Sequence, residues 1–267
     1  MSDLEPIIDI HGEERRNGLL LPPEGLVSAF PTFEDDPEML VLDDADIKRI
    51  AQQYDGKDEP GDWAILDQKS HGSCAGFGAA GAAMTLRHRM GIRDQLRLSG
   101  AWLYAFGNSN QDSGAPLEWI LRAAVEHGIP PESLVPWNVI YKRQHKPEFA
   151  IEAKKRMPHK WRRITTKQGY RSAMAQGFPV VVALTAGSRF QRQDDDGVSG
   201  VDPGRGNHCV YTRAIRLSRG REVYRVANSW GLRFGKQGTT WVGWESFEQC
   251  FRTHQFYCCC SIEEQGI

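Results

Sequence analysis

The stretch from Cys74 to Gly91, CAGFGAAGAAMTLRHRMG, constrains the fold more than any other part of the sequence. Alanine and glycine fill most positions of its first half, so the helix that it predicts has no polar face there. A helix without a polar face is stable only when neighbouring elements pack around it. We therefore expect a buried central helix that begins after Ser73 and ends at Gly91, a glycine suited to the position after a helix.

Two further helices follow, and the second half of the chain then changes to strands. SGAWLYAFGN and APLEWILRAAVEHG predict helices, the second with Pro116 in its first turn and Gly128 as its stop. After Pro179 the apolar residues are continuous or alternate with polar ones, which predicts strands in PVVVALTAG, NHCVYTRAIRL, REVYRVANSW, TTWVGW and HQFYCCCSI. Helices first and antiparallel strands second indicate an α+β fold with a cleft between two halves.

Charge and composition argue against several classes of protein. The 267 residues carry a formal net charge of −1, so we expect no nucleic-acid partner and no binding to an anionic membrane surface. No secretory signal and no run of about 18 apolar residues is visible. Three of the six cysteines are consecutive, Cys258, Cys259 and Cys260, which is a poor disulfide framework. We expect them in a core strand, with a redox or metal role as the alternative, and a cytoplasmic or other reducing compartment.

Cys74 is placed for reactivity as well as for packing. A lone cysteine in an alanine-rich helix usually packs as a small apolar residue. Cys74 follows Ser73, a natural N-cap, so the helix dipole would favour its thiolate. A reactive cysteine also needs an imidazole, and His208 opens a predicted strand directly after a glycine-rich loop. Asn228 ends the next strand, where its amide could orient the ring of His208 and Trp230 could shield their hydrogen bond.

A metal site is the competing explanation for cysteine and histidine together. The sequence has no CxxC pair, and His208 and Cys209 are neighbours in a predicted strand. Neighbouring strand residues point to opposite faces, so the two cannot aim at one ion. We therefore expect no metal and no cofactor.

Four segments, in the same order along the chain, resemble the papain family of cysteine peptidases. QKSHGSCAGF resembles the segment leading to the family's nucleophile, and DSGAPLEW resembles the segment bordering its substrate groove. GNHCVYTRAI resembles its histidine strand, and VANSWGLRFGKQG closely resembles its Asn-Ser-Trp-Gly stretch. The resemblance runs from about Trp63 to Trp244. It implies a papain-like two-lobed fold with a helical lobe around a central cysteine-bearing helix, an antiparallel β-barrel-like lobe, and the active-site cleft between them.

The resemblance also implies a role for each matching residue. Cys74 would be the nucleophile of a thiol endopeptidase, and His208 would be its general base and acid. Asn228 would orient His208, and the side-chain amide of Gln68 would stabilise the oxyanion together with the backbone N–H of Cys74. The implied reaction is hydrolysis of a peptide bond through a thioester acyl-enzyme, with a peptide or protein as substrate.

The implied substrate groove has three expected contacts. Gly114 matches the glycine whose backbone pairs with an extended peptide substrate in the family. Ser113, beside it, and Asn207, beside His208, are the other two expected substrate-binding residues.

The sequence departs from the family's pattern in three places. His71 stands where the family usually has a cysteine committed to a disulfide, and Ala75 stands where it usually has tryptophan. No counterpart of the family's long helical propeptide is visible in residues 1–56, which are rich in proline and acidic residues. We expect that segment to be an extension outside the core, tied across the outer surface or docked on a protein partner, with the cleft left accessible. Residues 57–170 would form the helical lobe and residues 171–267 the β lobe.

Two other functions stay open at this point. The same nucleophile could serve a different acyl transfer, such as transfer to an amine or amide hydrolysis in cell-wall peptides. The chain could also be a non-catalytic relative that keeps the fold as a structural or assembly component, for example of a virion.

Overall fold

A computed structural model describes residues 6–22, 28–253 and 255–265, and shows an α+β fold with two lobes. Parts of the predicted extension (1–5 and 23–27) and of the predicted β lobe (254 and 266–267) lie outside the described residues.

The helices are α1 Asp44–Gln52, α2 Cys74–Arg89, α3 Gly100–Gly107, α4 Leu117–His127, α5 Pro147–Ala153, α6 Lys167–Ala175, α7 Ser188–Gln191 and α8 Trp244–Phe251, with short 3₁₀ turns at Asp62–Ala64 and Lys142–Gln144. The strands are β1 Ile7–Ile8, β2 Glu14–Arg15, β3 Leu19–Leu20, β4 Ala115–Pro116, β5 Arg156–Arg163, β6 Val180–Leu184, β7 Val198–Ser199, β8 His208–Ser218, β9 Arg221–Ala227, β10 Thr239–Gly243 and β11 Phe256–Glu264.

Helix α2 is the central helix that the alanine- and glycine-rich stretch predicts. Every residue from Cys74 to Arg87 is buried. Glycines let neighbouring backbones approach closely: a Cβ at Gly76 would lie 2.3 Å from the Gly100 carbonyl oxygen of α3, and one at Gly81 would lie 2.2 Å from the ring of Tyr211 on β8. The small residues therefore position α2 between the other helices and the sheet.

The β lobe is built on a seven-stranded sheet with the order β5-β11-β6-β8-β9-β10-β7. Its neighbouring strands are antiparallel except for β7 and β10, which run parallel. The expected boundary at residue 170 is wrong, because β5 already forms one end of this sheet at residues 156–163. Nothing in the basic stretch of β5 signalled its pairing with β11, which comes almost 100 residues later.

Two hydrophobic cores lie on the two sides of the sheet. One packs α2, α3 and α4 against residues such as Val181 and Tyr211. The other holds Tyr170, Tyr224, Phe247 and their neighbours in the β lobe.

The second core also includes residues from the predicted extension, so part of that extension belongs to the folded domain. The side chains of Phe33, Ile47 and Ala51 are fully or almost fully buried there. Asp43 caps α1 by accepting the backbone N–H of Asp46. The expectation that residues 1–56 lie outside the core is therefore wrong for this stretch.

All six cysteines, each in the described part of the chain, are free thiols. Cys258 and Cys259 are buried in β11 and Cys260 is half-buried, as the predicted core strand requires. Among the described helices, none is both long and apolar enough to cross a membrane.

Candidate active site

Cys74 is the first residue of α2, at the floor of the cleft between the lobes. Ser73 is the N-cap residue, as expected, but its buried hydroxyl makes no capping hydrogen bond. The predicted low pKa of Cys74 is not found. Burial raises the pKa of the Cys74 thiol to about 11, although hydrogen bonds from backbone amides including those of Gly18 and Cys209 act in the opposite direction.

His208 is the first residue of β8, and the start of this strand packs against Cys74 through its second residue. The backbone N–H of the next residue, Cys209, hydrogen-bonds to the Cys74 sulfur. The Nε2–H of His208 donates to Asn228 Oδ1 at 2.8 Å, while its Nδ1 is buried without a hydrogen-bond partner. Burial lowers the pKa of His208 to about 4, and the bond to Asn228 only partly offsets this. Cys74 and His208 are therefore both uncharged at neutral pH in this state of the chain.

Asn228 and Trp230 fix the orientation of the His208 ring, as the sequence predicts. The backbone N–H of Ser229 donates to the same Asn228 Oδ1 that accepts from His208, which identifies that atom as the oxygen. His208 Nε2 must then carry the proton. The Trp230 ring is buried, with its centroid 4.9 Å from that of His208, and covers the hydrogen bond.

Gln68 is held by Ser229, a residue that the sequence reasoning did not single out although it lies inside the Asn-Ser-Trp-Gly stretch. The Ser229 hydroxyl donates to Gln68 Oε1 at 2.6 Å, and the Gln68 backbone N–H donates to the Ser229 carbonyl at 2.8 Å. Gln68 Nε2 is thereby turned toward the cleft, where it donates to the His71 carbonyl at 2.6 Å and the Arg16 carbonyl at 3.0 Å. An amide donor is therefore held within the cleft, as the oxyanion role requires.

The three expected groove residues lie at the edges of the cleft. Gly114 has φ +89°, a conformation that favours glycine. The Asn207 carbonyl accepts from the backbone N–H of Leu19, and its side-chain Oδ1 accepts the Ala186 N–H. Ser113 is exposed.

The cleft is not accessible, contrary to the expectation from the sequence, because residues 14–20 run through it. We call this segment the strap. Its Gly18 carbonyl accepts from the N–H of Ala115 on one wall, and its Leu19 N–H donates to Asn207 on the other. Strand β3 of the strap pairs in parallel with β4. Cys74 and His208 are consequently both fully buried.

Gly18 allows the closest approach of the strap to the cleft. Its Cα lies against Gly72, and a Cβ at residue 18 would lie 1.6 Å from the Gly72 carbonyl oxygen. Because the atom that it meets belongs to the backbone, a larger residue could not be accommodated by a side-chain movement.

Arg15 anchors the strap beside the cleft. Its buried guanidinium donates to Asp9 at 3.0 Å, to Asp67 at 2.9 Å and to the Trp230 carbonyl at 3.1 Å. Glu13 adds a third carboxylate at 2.5 Å. Asp9 is buried as well, so loss of Arg15 would leave that carboxylate buried without its cation, which is costly.

His71, at the position of the family's disulfide-forming cysteine, pairs with a carboxylate. Its Nδ1 lies 2.9 Å from Asp112 Oδ2. Within the described residues, no group of three or more histidine, cysteine, aspartate or glutamate side chains is arranged to hold a metal ion.

Comparison with known proteins identifies one family. The sequence profile described as papain family cysteine protease matches residues 50–259. No curated protein sequence matches the chain.

Solved structures of cysteine proteases share the fold. Xylellain, a cysteine protease from Xylella fastidiosa, superimposes with a TM-score of 0.67 at 16% identity, covering 94% of this chain and 98% of its own. Procathepsin B S9 from Trypanosoma congolense gives 0.64 at 14% identity, with coverages of 92% and 86%. Digestive procathepsin L 3 of the Tenebrio molitor larval midgut gives 0.59 at 19% identity, with coverages of 81% and 77%.

Proposed function

Because this chain belongs to the papain family of cysteine proteases, we propose that it hydrolyses peptide bonds with Cys74 as nucleophile and that the strap keeps it latent. The observation that carries this proposal is the orientation of His208. Its Nε2 is engaged by Asn228, which leaves only the unpaired Nδ1 to exchange a proton with a neighbouring thiol. A buried polar atom without a partner calls for an explanation, and at His208 the proposed explanation is proton exchange with Cys74.

The reaction proceeds in two acyl-transfer steps. Cys74 Sγ attacks the carbonyl carbon of the substrate while its proton passes to His208 Nδ1. The tetrahedral intermediate collapses to a thioester, the C–N bond breaks, and the leaving nitrogen takes the proton from His208. Water then attacks the thioester and gives a proton to His208, which returns it to the departing sulfur.

The oxyanion of each intermediate is stabilised by two donors. One is the backbone N–H of Cys74 at the start of α2, and the other is Gln68 Nε2. The second proton of Nε2, now bonded to the Arg16 carbonyl, becomes free for a substrate oxygen when the strap leaves. The Ser229 hydroxyl keeps Oε1 turned away, so the amide cannot present its oxygen to the oxyanion.

Burial under the strap explains the latency in electrostatic terms. A thiol with a pKa of about 11 beside an imidazole with a pKa of about 4 stays neutral across physiological pH. Both shifts come mainly from desolvation, which disfavours the thiolate and the imidazolium alike. Release of the strap would return water to the cleft, lower the thiol pKa and raise the imidazole pKa.

The test uses the full chain and its Gly18→Ala variant, in which the added methyl group is incompatible with the strap at Gly72. We expect the variant to cleave members of a peptide library and an epoxide probe to label Cys74, as mapped by mass spectrometry. A labelled Cys74 with transfer to an added amine and no hydrolysis would instead indicate a different acyl transfer. If Cys74 stays unlabelled and no peptide is cut, in an intact folded variant, the proposal is wrong.

Gln68→Ala, introduced into the Gly18→Ala chain, should lower kcat by about 100- to 1,000-fold with little change in KM, because it removes one oxyanion donor. Steady-state kinetics on a peptide substrate measure both constants. Gln52→Ala, an exposed change on α1, is the matched control and should leave both unchanged. A large rise in KM at constant kcat would assign Gln68 to substrate binding instead.

A further inference from the structure

The carboxylate of Asp112 joins the loop before the nucleophile to the rest of the helical lobe. Its Oδ1 accepts the Gly72 N–H at 2.9 Å and the Tyr104 hydroxyl at 2.8 Å, and its Oδ2 pairs with His71 Nδ1 at 2.9 Å. Only 14% of the Asp112 side chain is exposed. His71 and Gly72, in the loop before Cys74, are thereby held by one side chain that lies about 40 positions later in the sequence.

Tyr104 extends this connection to the groove wall. It is fully buried on α3, and its hydroxyl accepts the N–H of Gly114 at 3.0 Å while it donates to Asp112. Gly72 and Gly114 also approach each other directly, since a Cβ at Gly72 would lie 3.4 Å from the Gly114 nitrogen. The loop before Cys74 and the wall that faces it are therefore connected through one carboxylate and one phenol.

The charge on Asp112 is maintained by these donors. Burial alone would raise the pKa of Asp112, but hydrogen bonds from His71, Tyr104 and the Gly72 amide outweigh it and hold the pKa below its usual value. Removing the carboxylate would leave the Gly72 N–H and the Tyr104 hydroxyl without their acceptor, at a site largely closed to water.

The loop that Asp112 holds also holds the oxyanion donor. The His71 carbonyl accepts from Gln68 Nε2 at 2.6 Å, and Gly72 is two residues before Cys74. A displacement of residues 71–72 would therefore move the Gln68 amide and the start of α2 relative to the groove wall at Gly114. Misplacement of reacting groups by about 1 Å can reduce a rate by about 100-fold.

We propose that Asp112 is a positioning residue for peptide-bond hydrolysis: through His71, Gly72 and Tyr104 it holds the Gln68–Cys74 oxyanion site in register with the groove wall. The inference rests on the proposed roles of Cys74 and Gln68. His71 thus provides a polar link at the position where the family usually has a disulfide-forming cysteine.

The experiment compares Asp112→Ala and Asp112→Asn in the full chain carrying Gly18→Ala. The concentration of reactive Cys74 is first titrated with the epoxide probe, and kcat is calculated from that concentration. We expect Asp112→Ala to lower this kcat by about 100-fold. Asp112→Asn should recover most of that loss, because its Oδ1 can still accept from Gly72 and Tyr104. Tyr104→Phe removes both the bond to Asp112 and the bond from Gly114 but leaves the carboxylate on His71 and Gly72, so it should raise KM more than it lowers kcat.

Asp36→Ala is the matched control. Asp36 is a similarly buried carboxylate that accepts a backbone N–H and pairs with Arg162, but it lies outside the cleft. It should lower the melting temperature without changing kcat per titrated Cys74. The positioning role is overturned if Asp112→Ala, assayed well below its melting temperature, lowers kcat no more than Asp36→Ala, or if Asp112→Asn is as impaired as the alanine variant. Failure of the proposed function is a separate result, because the parent Gly18→Ala chain would then cut no peptide.

Discussion

Gly18→Ala should raise the rate at which an epoxide probe labels Cys74, and the rate of peptide cleavage, by roughly 10- to 100-fold. The added methyl group would lie 1.6 Å from the Gly72 carbonyl oxygen, which is backbone and cannot rotate away. Overpacking of this kind costs about 1–3 kcal/mol. Each 1.4 kcal/mol changes an equilibrium constant by about tenfold, so this cost raises the fraction of molecules with an open cleft by roughly 10- to 100-fold. The labelling and cleavage rates should rise by the same factor, because only open molecules react.

The measurement is the time course of labelling for the two chains at equal concentration, followed by intact-mass analysis. Gly61→Ala is the matched control, since Gly61 is exposed and its added Cβ meets nothing closer than 3.5 Å. Arg15→Ala tests the same strap independently, because it removes the cation shared by Asp9, Glu13 and Asp67. Equal labelling of wild type, Gly18→Ala and Arg15→Ala would show that the strap does not limit access to Cys74.

Cys74→Ser in the Gly18→Ala chain should abolish turnover, with a loss on the order of 10⁴-fold or more. Serine has nearly the same size, so packing at the start of α2 is retained. Its hydroxyl is far harder to deprotonate than a thiol, and a triad arranged around a thiolate activates it poorly. The loss should appear in kcat, while the melting temperature stays close to that of the parent.

Cys260→Ser is the control for replacing a cysteine by serine outside the cleft. Cys260 is half-buried on β11 and forms no part of the cleft, so this variant should keep the parent's turnover and probe labelling. Turnover in Cys74→Ser close to that of the parent would mean that another residue is the nucleophile. The buried Cys209, whose amide contacts the Cys74 sulfur, would then be the first to test.

Much of the candidate site could be predicted because its residues lie in local patterns. The small residues before Gly91 required a buried helix, and that placed Cys74 at a helix start. The strand periodicity placed His208 at the beginning of one strand and Asn228 at the end of the next, and the two bond at 2.8 Å. Each of these inferences needs only neighbouring residues and the rule that consecutive strands pair.

The parts that were missed depend on contacts between distant segments. Ser229 holds Gln68 across 161 positions, and β5 pairs with β11 at the far end of the sheet. The predicted low pKa of Cys74 was wrong for a related reason. A helix start favours the thiolate, but the strap removes water from the sulfur, and the cost of that desolvation is the larger effect.

The sequence by itself determined the α+β class, the central helix, and the cysteine, histidine and asparagine of the candidate site, because periodicity and small-residue content act over a few neighbouring positions. Only the tertiary structure decided that residues 14–20 fill the cleft instead of crossing the outer surface. Proline- and acid-rich composition does not specify where a segment binds. Its position follows from the fit of Gly18 against Gly72 and from the bonds of Arg15 to Asp67 and to the Trp230 carbonyl, contacts that exist only once the rest of the domain has formed.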